Sequence, residues 1–164
     1  YALRFAYDVA KASSRVAHMG AGGGRGGDIA RSVGYRWTPV GLETLFLRSK
    51  VLLDSKAAGI RFPVTGLWQD IGDIDGLKRF AIQSREIGYT GMAIIHPSHV
   101  PIVNEVFSPS PAEIKECKDL IKAMNEVRES GSAAVSFLGG MVDIAHEKTA
   151  IETLKLAKDL GLIG

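Results

Sequence analysis

Three short apolar runs, Val16-Ala17-His18-Met19, Val64-Thr65-Gly66-Leu67-Trp68 and Met92-Ala93-Ile94-Ile95, each lead through a loop into a stretch with helical apolar spacing. None of them alternates polar with apolar residues, so both faces of each strand need cover, as in a parallel sheet packed under helices. The fold class predicted is α/β. Before the first run, Leu3, Phe5, Ala6, Val9 and Ala10 share a helical face that stops near Ser13-Ser14. Behind it comes Gly20-Ala21-Gly22-Gly23-Gly24-Arg25-Gly26-Gly27-Asp28, too rich in glycine for a regular element, and then a short amphipathic stretch, 29–33, closed by Gly34. A long helix is expected over 39–58, with Thr38 as N-cap, Pro39 in the first position and Gly59 closing it. Asp73 and Gly88 bracket a further helix, 74–87. The proline-punctuated segment Phe107-Ser108-Pro109-Ser110-Pro111 then separates a region 1–107 from a region 108–164. The second region reads as a helix with the apolar face Ile114, Cys117, Leu120, Ile121 and Met124, a β-like run 133–138, a turn at Gly139-Gly140 and a last helix over 145–160.

A closed eightfold barrel needs roughly 250 residues, and the three strand–helix units occupy only about 95. The sheet is therefore a small open one, or it is the back half of a barrel whose front half lies upstream of Tyr1. Tyr1-Ala-Leu-Arg-Phe lacks an initiator methionine and reads as the middle of a helix, which favours a piece of something longer. The 20 Lys and Arg offset the 18 Asp and Glu almost completely and form no basic block, so nucleic acid is not expected as a partner. No apolar run approaches the roughly 20 residues needed to cross a bilayer, and the lone Cys117 cannot form an internal disulfide. We expect no membrane partner and a reducing, cytoplasmic compartment.

Several residues invite chemistry. Gly22, Gly24 and Gly27 satisfy G-x-G-x-x-G after a strand, with Glu43 near the place of a ribose-binding acid, which suggests a dinucleotide site. Against it, Asp28 would put a carboxylate where the pyrophosphate should sit. A second reading makes the glycines a surface loop and Asp28 a helix cap. A third makes Asp28 a ligand of a hard divalent cation at a strand end, with Gly26 and Gly27 letting backbone N–H groups approach an anion. One carboxylate does not complete a Mg²⁺ site; Asp70 is a candidate second acid, and Asp73 reads more simply as an N-cap. His96 and His99 form H-x-x-H, but Pro97 breaks the spacing a zinc helix requires, so a hydrogen-bonded histidine at a strand end is the plainer reading. His18 reads as a core histidine and His146 as solvent-facing. Asp143, between a β-like run and a helix, reads by itself as an N-cap.

Several segments, in order, resemble the citrate lyase beta subunits and their relatives, the malyl-CoA, methylmalyl-CoA and citramalyl-CoA lyases. They are Arg48-Ser49-Lys50-Val51 ahead of Ala57-Ala58-Gly59, Asp73-Ile74-Asp75-Gly76-Leu77, 88–98 with its Ile95-His96-Pro97-Ser98, Phe107-Ser108-Pro109-Ser110, and Gly140-Met141-Val142-Asp143. The resemblance implies the C-terminal part, about strands six to eight, of a (β/α)₈ TIM barrel over 1–107 and a mostly helical lid over 108–164. It also implies homotrimers or hexamers, and Mg²⁺-dependent cleavage or formation of a C–C bond in a hydroxyacyl-CoA thioester. Carried over residue by residue, it makes Asp28 the metal ligand and Asp143 the catalytic proton carrier of the lid. The backbone at Gly26, Gly27, Ala93 and Ile94 then approaches substrate. Its second metal carboxylate is expected upstream of Tyr1. Here the loop reads Arg25-Gly26-Gly27-Asp28 in place of the family's Gly-x-Glu-Asp, and Leu138-Gly139-Gly140 replaces Asp-Gly-Lys.

The reading is thus a CoA-ester lyase acting on a malyl, methylmalyl, citramalyl or citryl thioester and releasing an acyl-CoA and a 2-oxo acid. The 164 residues alone are expected to be inactive. The competing readings are a non-catalytic half-barrel serving assembly or regulation, and a nucleotide-binding domain built on the Gly22–Gly27 loop.

Overall fold

The computed structural model describes residues 2–129 and 134–164, and the chain divides into two compact units with the boundary between Phe107 and Ser108. The expected β-like run 133–138 begins at Ala133, which lies outside the described residues.

In the first unit a 3-10 turn, Ala2–Phe5, runs into α1, Ala6–Lys11, then come α2, Asp28–Val33, and α3, Leu42–Ala57. Strand β1, Val64–Thr65, precedes α4, Ile74–Glu86; strand β2, Gly91–Met92, precedes a 3-10 turn, Pro97–His99, and α5, Val100–Phe107. β1 and β2 pair in parallel, Val64 opposite Gly91 and Thr65 opposite Met92, and the pairing runs on through Thr90 N–H to Pro63 O at 3.0 Å and Ala93 N–H to Thr65 O at 3.1 Å. The parallel α/β character is therefore present, but as a two-stranded pair.

The third expected strand, 16–19, does not form. Only Val16 and Ala17 are apolar before His18, which is exposed, contrary to the core role expected of it. The chain instead reaches β1 by backbone packing. A side chain on Gly20 would collide with the Val64 carbonyl, and one on Gly66 would stand 2.6 Å from the Gly22 Cα. Close approach of bare backbone is what the glycines supply here.

α4 follows the sequence. Asp73 Oδ1 accepts from Gly76 N–H at 2.9 Å as N-cap, and Gly88 takes φ 109° just past the helix end. Its apolar face places Leu77 and Ala81, both wholly buried, in a core with Trp68, Met92, Val103 and Val106. α3 starts three residues later than expected. Thr38 opens a turn with Gly41 at φ 72°, and Glu43 reaches back to the Thr38 N–H at 2.6 Å and hydroxyl at 2.8 Å, so Pro39 sits in the turn ahead of the helix. Arg48, 1% exposed, lies over the Phe80 ring and donates to Gln83 Oε1 at 2.5 Å. Burial pulls its pKa down.

In the second unit α6, Pro111–Glu129, starts on a capping box: Ser110 Oγ accepts from Glu113 N–H and Glu113 Oε2 from Ser110 N–H. Strands β3, Ala134–Phe137, and β4, Gly140–Asp143, form an antiparallel hairpin, followed by α7, Ile144–Asp159. The turn residues are Leu138 and Gly139, at φ 48° and 81°, one position earlier than the expected glycine pair. Leu120, Met124, Val142 and Ala150 form this unit's core, with Cys117 packed against it; burial pushes the Cys117 thiol pKa up.

Candidate functional site

The glycine run ends in a tight turn. Gly27 N–H donates to Gly24 O at 3.2 Å, Gly26 takes φ 65° with open space around it, and Gly27, in extended conformation, is the N-cap of α2. Asp28 is therefore the first residue inside that helix and does not cap it. Its Oδ1 accepts from Arg31 Nη2 at 2.8 Å, and its side chain is 90% exposed.

Gly23 and Gly24 are pressed against Thr44 and Gln69, where a side chain would come within 2.6 and 2.7 Å. Gly20, Gly22, Arg25 and Gly26 of the same run are exposed. The dinucleotide reading fails because, among the described residues, no strand leads into the run, and the six-residue helix behind it begins with Asp28.

Asp28 lines a cleft of about 250 Å³ with Gly22, Gly24, Gly27, Ile29, Tyr35, Leu67 and Gln69. The Tyr35 hydroxyl is buried without a partner among the described residues, and burial, with Glu43 nearby, raises its pKa. As a donor set for Mg²⁺ this offers one accessible carboxylate, with Oδ1 shared by Arg31. That matches a single ligand's share of such a site. Asp70 does not join it: its Oδ1 accepts from the N–H groups of Gly72 and Asp73, and Asp73 caps α4. No group of three or more His, Cys, Asp or Glu suited to a metal occurs among the described residues.

Of the backbone positions, Gly27 N–H donates to Gly24 O and Ala93 N–H to Thr65 O. Gly26 faces open space and Ile94 is 37% exposed. His96 Nδ1 pairs with Ser98 at 2.7 Å to the hydroxyl, as the plainer reading expected. His99 is wholly buried with Nε2 3.3 Å from Ile71 O.

Asp143 belongs to the second unit. It is the N-cap of α7, accepting from Ala145 N–H at 2.9 Å, while His146 Nδ1 stands 2.8 Å from the same oxygen. The His146 contact, with the Ala145 N–H, holds its pKa below the usual aspartate value. Its side chain remains 49% exposed, as does that of His146 at 55%.

Sequence reasoning missed an aromatic cleft of about 520 Å³ lined by Arg25, Trp37, Pro39, Trp68, Gln69, Asp70 and Ile71 among others. The Trp37 and Trp68 rings are 5.4 Å apart, and the Arg25 guanidinium lies 4.9 Å over Trp37. Thirty residues lie between the two tryptophans, and Trp37 sits in a loop without periodicity; the only hint was that the chain's two tryptophans both precede helices.

No family model matches the chain. Its sequence is similar to the citramalyl-CoA lyase, mitochondrial, of Homo sapiens, at 34% identity over 135 residues covering 82% of this chain and 39% of that protein. It is also similar to a (3S)-malyl-CoA thioesterase of Cereibacter sphaeroides, 34% identical over 131 residues, 80% of this chain and 46% of that protein. The chain thus spans less than half the length of these relatives. In fold it is similar to CitE of Mycobacterium tuberculosis, crystallised with magnesium, acetoacetate and coenzyme A, with TM-score 0.77 and 25% identity over 96% of this chain and 57% of that one.

Proposed function

We propose, from its similarity to a citramalyl-CoA lyase and to an L-malyl-CoA/beta-methylmalyl-CoA lyase, that this chain is the part of a CoA-ester lyase that carries one metal carboxylate and the lid. The observation that supports it most is the accessible Asp28 carboxylate at a cleft bounded by glycine backbone, in a fold similar to a protein crystallised with magnesium and coenzyme A. In this reading β1 and β2 are neighbouring strands of a (β/α)₈ barrel, the unit Ser108–Gly164 is its lid, and the assembly is a homotrimer or hexamer. The second metal carboxylate comes from sequence outside this chain. The lone thiol suits the cytoplasm, and the substrate is a malyl-, methylmalyl-, citramalyl- or citryl-type thioester.

The reaction breaks the bond between the carbinol carbon and the thioester α-carbon. The hydroxyl proton leaves, a keto group forms on one fragment, and the bonding pair stays on the α-carbon, which then takes up a proton. Mg²⁺, when bound, supplies Lewis-acid stabilisation of the oxygen that gains charge. Asp28 would be the residue of this chain that holds the ion, with Arg31 donating to its Oδ1. Asp143 serves as the proton acceptor at the α-carbon in the condensing direction and returns that proton in cleavage. Gly26 and Ile94 give the substrate's oxygens access to main chain.

A second reading, hydrolysis of the thioester itself, is favoured by the relative named a thioesterase. The metal assignment is tested by Asp28→Asn in the full-length protein. Mg²⁺ affinity by calorimetry and lyase turnover should both fall by orders of magnitude, because an amide loses the charge that offsets the ion's dehydration. Unchanged Mg²⁺ dependence refutes it.

A further inference from the structure

Asp143 carries its hydrogen bonds on one oxygen. Oδ1 accepts from Ala145 N–H at 2.9 Å and from His146 N–H at 3.5 Å, and it faces His146 Nδ1 at 2.8 Å; Oδ2 has no hydrogen bond among the described residues. With the side chain 49% exposed, Oδ2 is the oxygen free to meet a substrate.

A capping box asks only for a hydrogen-bonding side chain at the third position of the helix, which Glu or Gln supplies. Here that position is His146, which adds a group able to change charge near neutral pH. Its Nδ1 stands between two groups of opposite polarity, the Asp143 main-chain N–H at 3.2 Å and the Asp143 carboxylate at 2.8 Å. The first suits a lone pair on Nδ1 and the second a proton, so the ring keeps a partner in either protonation state. On the α6 side His146 shares a groove of about 280 Å³ with Glu113, Glu116 and Cys117, and no Lys or Arg lines it among the described residues. A proton on the ring therefore meets no positive neighbour in that groove. The next residue along α7, Glu147, is paired with Arg128 at 2.6 Å, and β3 and β4 carry no charged residue but Asp143 itself.

We propose that Asp143 and His146 move the proton of the reaction as a pair, an inference that rests on the reading of Asp143 as the proton acceptor of the lid. In condensation the C–H bond at the thioester α-carbon breaks, its electron pair stays on carbon and Asp143 Oδ2 takes the proton. A half-turn of the carboxyl about its broad, two-fold terminal torsion brings that proton to His146 Nδ1, leaving a carboxylate beside an imidazolium. An imidazole ordinarily binds a proton roughly 400-fold more tightly than an aspartate does, so the transfer runs toward the ring. Cleavage reverses each transfer. His146 is thus a positioning and proton-holding residue that acts through Asp143.

The test is kcat for condensation of acetyl-CoA with glyoxylate or pyruvate by the full-length protein with saturating Mg²⁺, followed from pH 4.5 to 9. A ring that already holds a proton cannot take another, so kcat should fall on acidification through about pH 6–7, the range in which an imidazole is protonated. In His146→Gln the amide keeps the capping hydrogen bond but carries no proton. That variant should lose at least about tenfold in kcat at pH 8 with KM nearly unchanged, and it should show no acid fall above about pH 5. His146→Asn, whose amide reaches the place of Nδ1, carries the same test if the Gln variant loosens α7.

A variant with the pH profile of the parent, or one that is slower with the acid fall still in place, makes His146 a cap alone and overturns the pair. Failure of the underlying reading looks different: Asp143→Asn then leaves kcat unchanged, or the protein condenses neither acid, and the pair falls with it. A slow Asp143→Asn beside an unshifted His146→Gln keeps the lid acid and removes the pair.

Discussion

Replacing Gly76 by alanine should destabilise the first unit, although on helix propensity alone it should help. Gly76 is the third residue of α4, where glycine costs about 1 kcal/mol relative to alanine. Here, however, a Cβ would collide with the Asp73 carboxylate that caps the helix and with the six-membered ring of Trp68, both too close for any rotamer of alanine to relieve. Relief requires both rotation of Asp73, which gives up its 2.9 Å bond from Gly76 N–H, and displacement of Trp68 from a core containing Leu77 and Met92. Losing a cap costs about 1 kcal/mol and overpacking a core about 1–3 kcal/mol. Set against the propensity gain, the net is about 1–3 kcal/mol of destabilisation. For a unit of about 100 residues that lowers the thermal midpoint by roughly 5–20 °C. The assay is thermal and urea unfolding followed by tryptophan fluorescence, which reads the first unit alone because both tryptophans lie in it. Gly76→Ala combined with Asp73→Ala should recover part of the loss, since the main obstacle is then gone. A single Gly76→Ala variant that melts higher than the parent refutes the packing argument.

Asp143 is where capping and chemistry must be separated. Asn caps a helix as well as Asp does, so in the full-length enzyme Asp143→Asn should leave α7 and thioester binding nearly intact while lowering kcat; Asp143→Ala should lower kcat and loosen α7 as well. A rise in KM alone makes Asp143 a binding or capping residue. The same residue sets a pH dependence. Its folded pKa is depressed below the ordinary 3.8, so its contribution to the start of α7 is fully present above 3.8 and is lost as pH falls through the folded value. Hydrogen-exchange protection at Ala145 and His146 should therefore hold from pH 7 to about 4 and drop only below it; loss between pH 7 and 5 contradicts the assignment.

Local signals carried most of the helices. Asp73 and Gly88 around α4, Ser110 before α6 and Asp143 before α7 each solve a nearest-neighbour problem, the unpaired N–H and C=O groups of a helix end, which a few adjacent residues suffice to state. Where local rules competed, the structure chose otherwise. Thr38-Pro39 is a good helix opening, but Gly41 at φ 72° and Glu43 folding back on Thr38 make a turn first. Gly27 rather than Asp28 takes the extended cap conformation, which turns Asp28 outward. Strand pairing and the aromatic cleft depend on partners distant in sequence, so 16–19 could look like a strand and yet pack through Gly20, and Trp37 could meet Trp68 unannounced.

The central claim is carbon–carbon cleavage of a hydroxyacyl thioester. Incubating the full-length protein with citramalyl-CoA and malyl-CoA, with Mg²⁺ and with a chelator, and identifying products by mass spectrometry tests it directly. Mg²⁺-dependent release of an acyl-CoA and a 2-oxo acid in equal amounts is expected, abolished by Asp28→Asn. Free coenzyme A with an intact hydroxy acid, or no product under either condition, would contradict it.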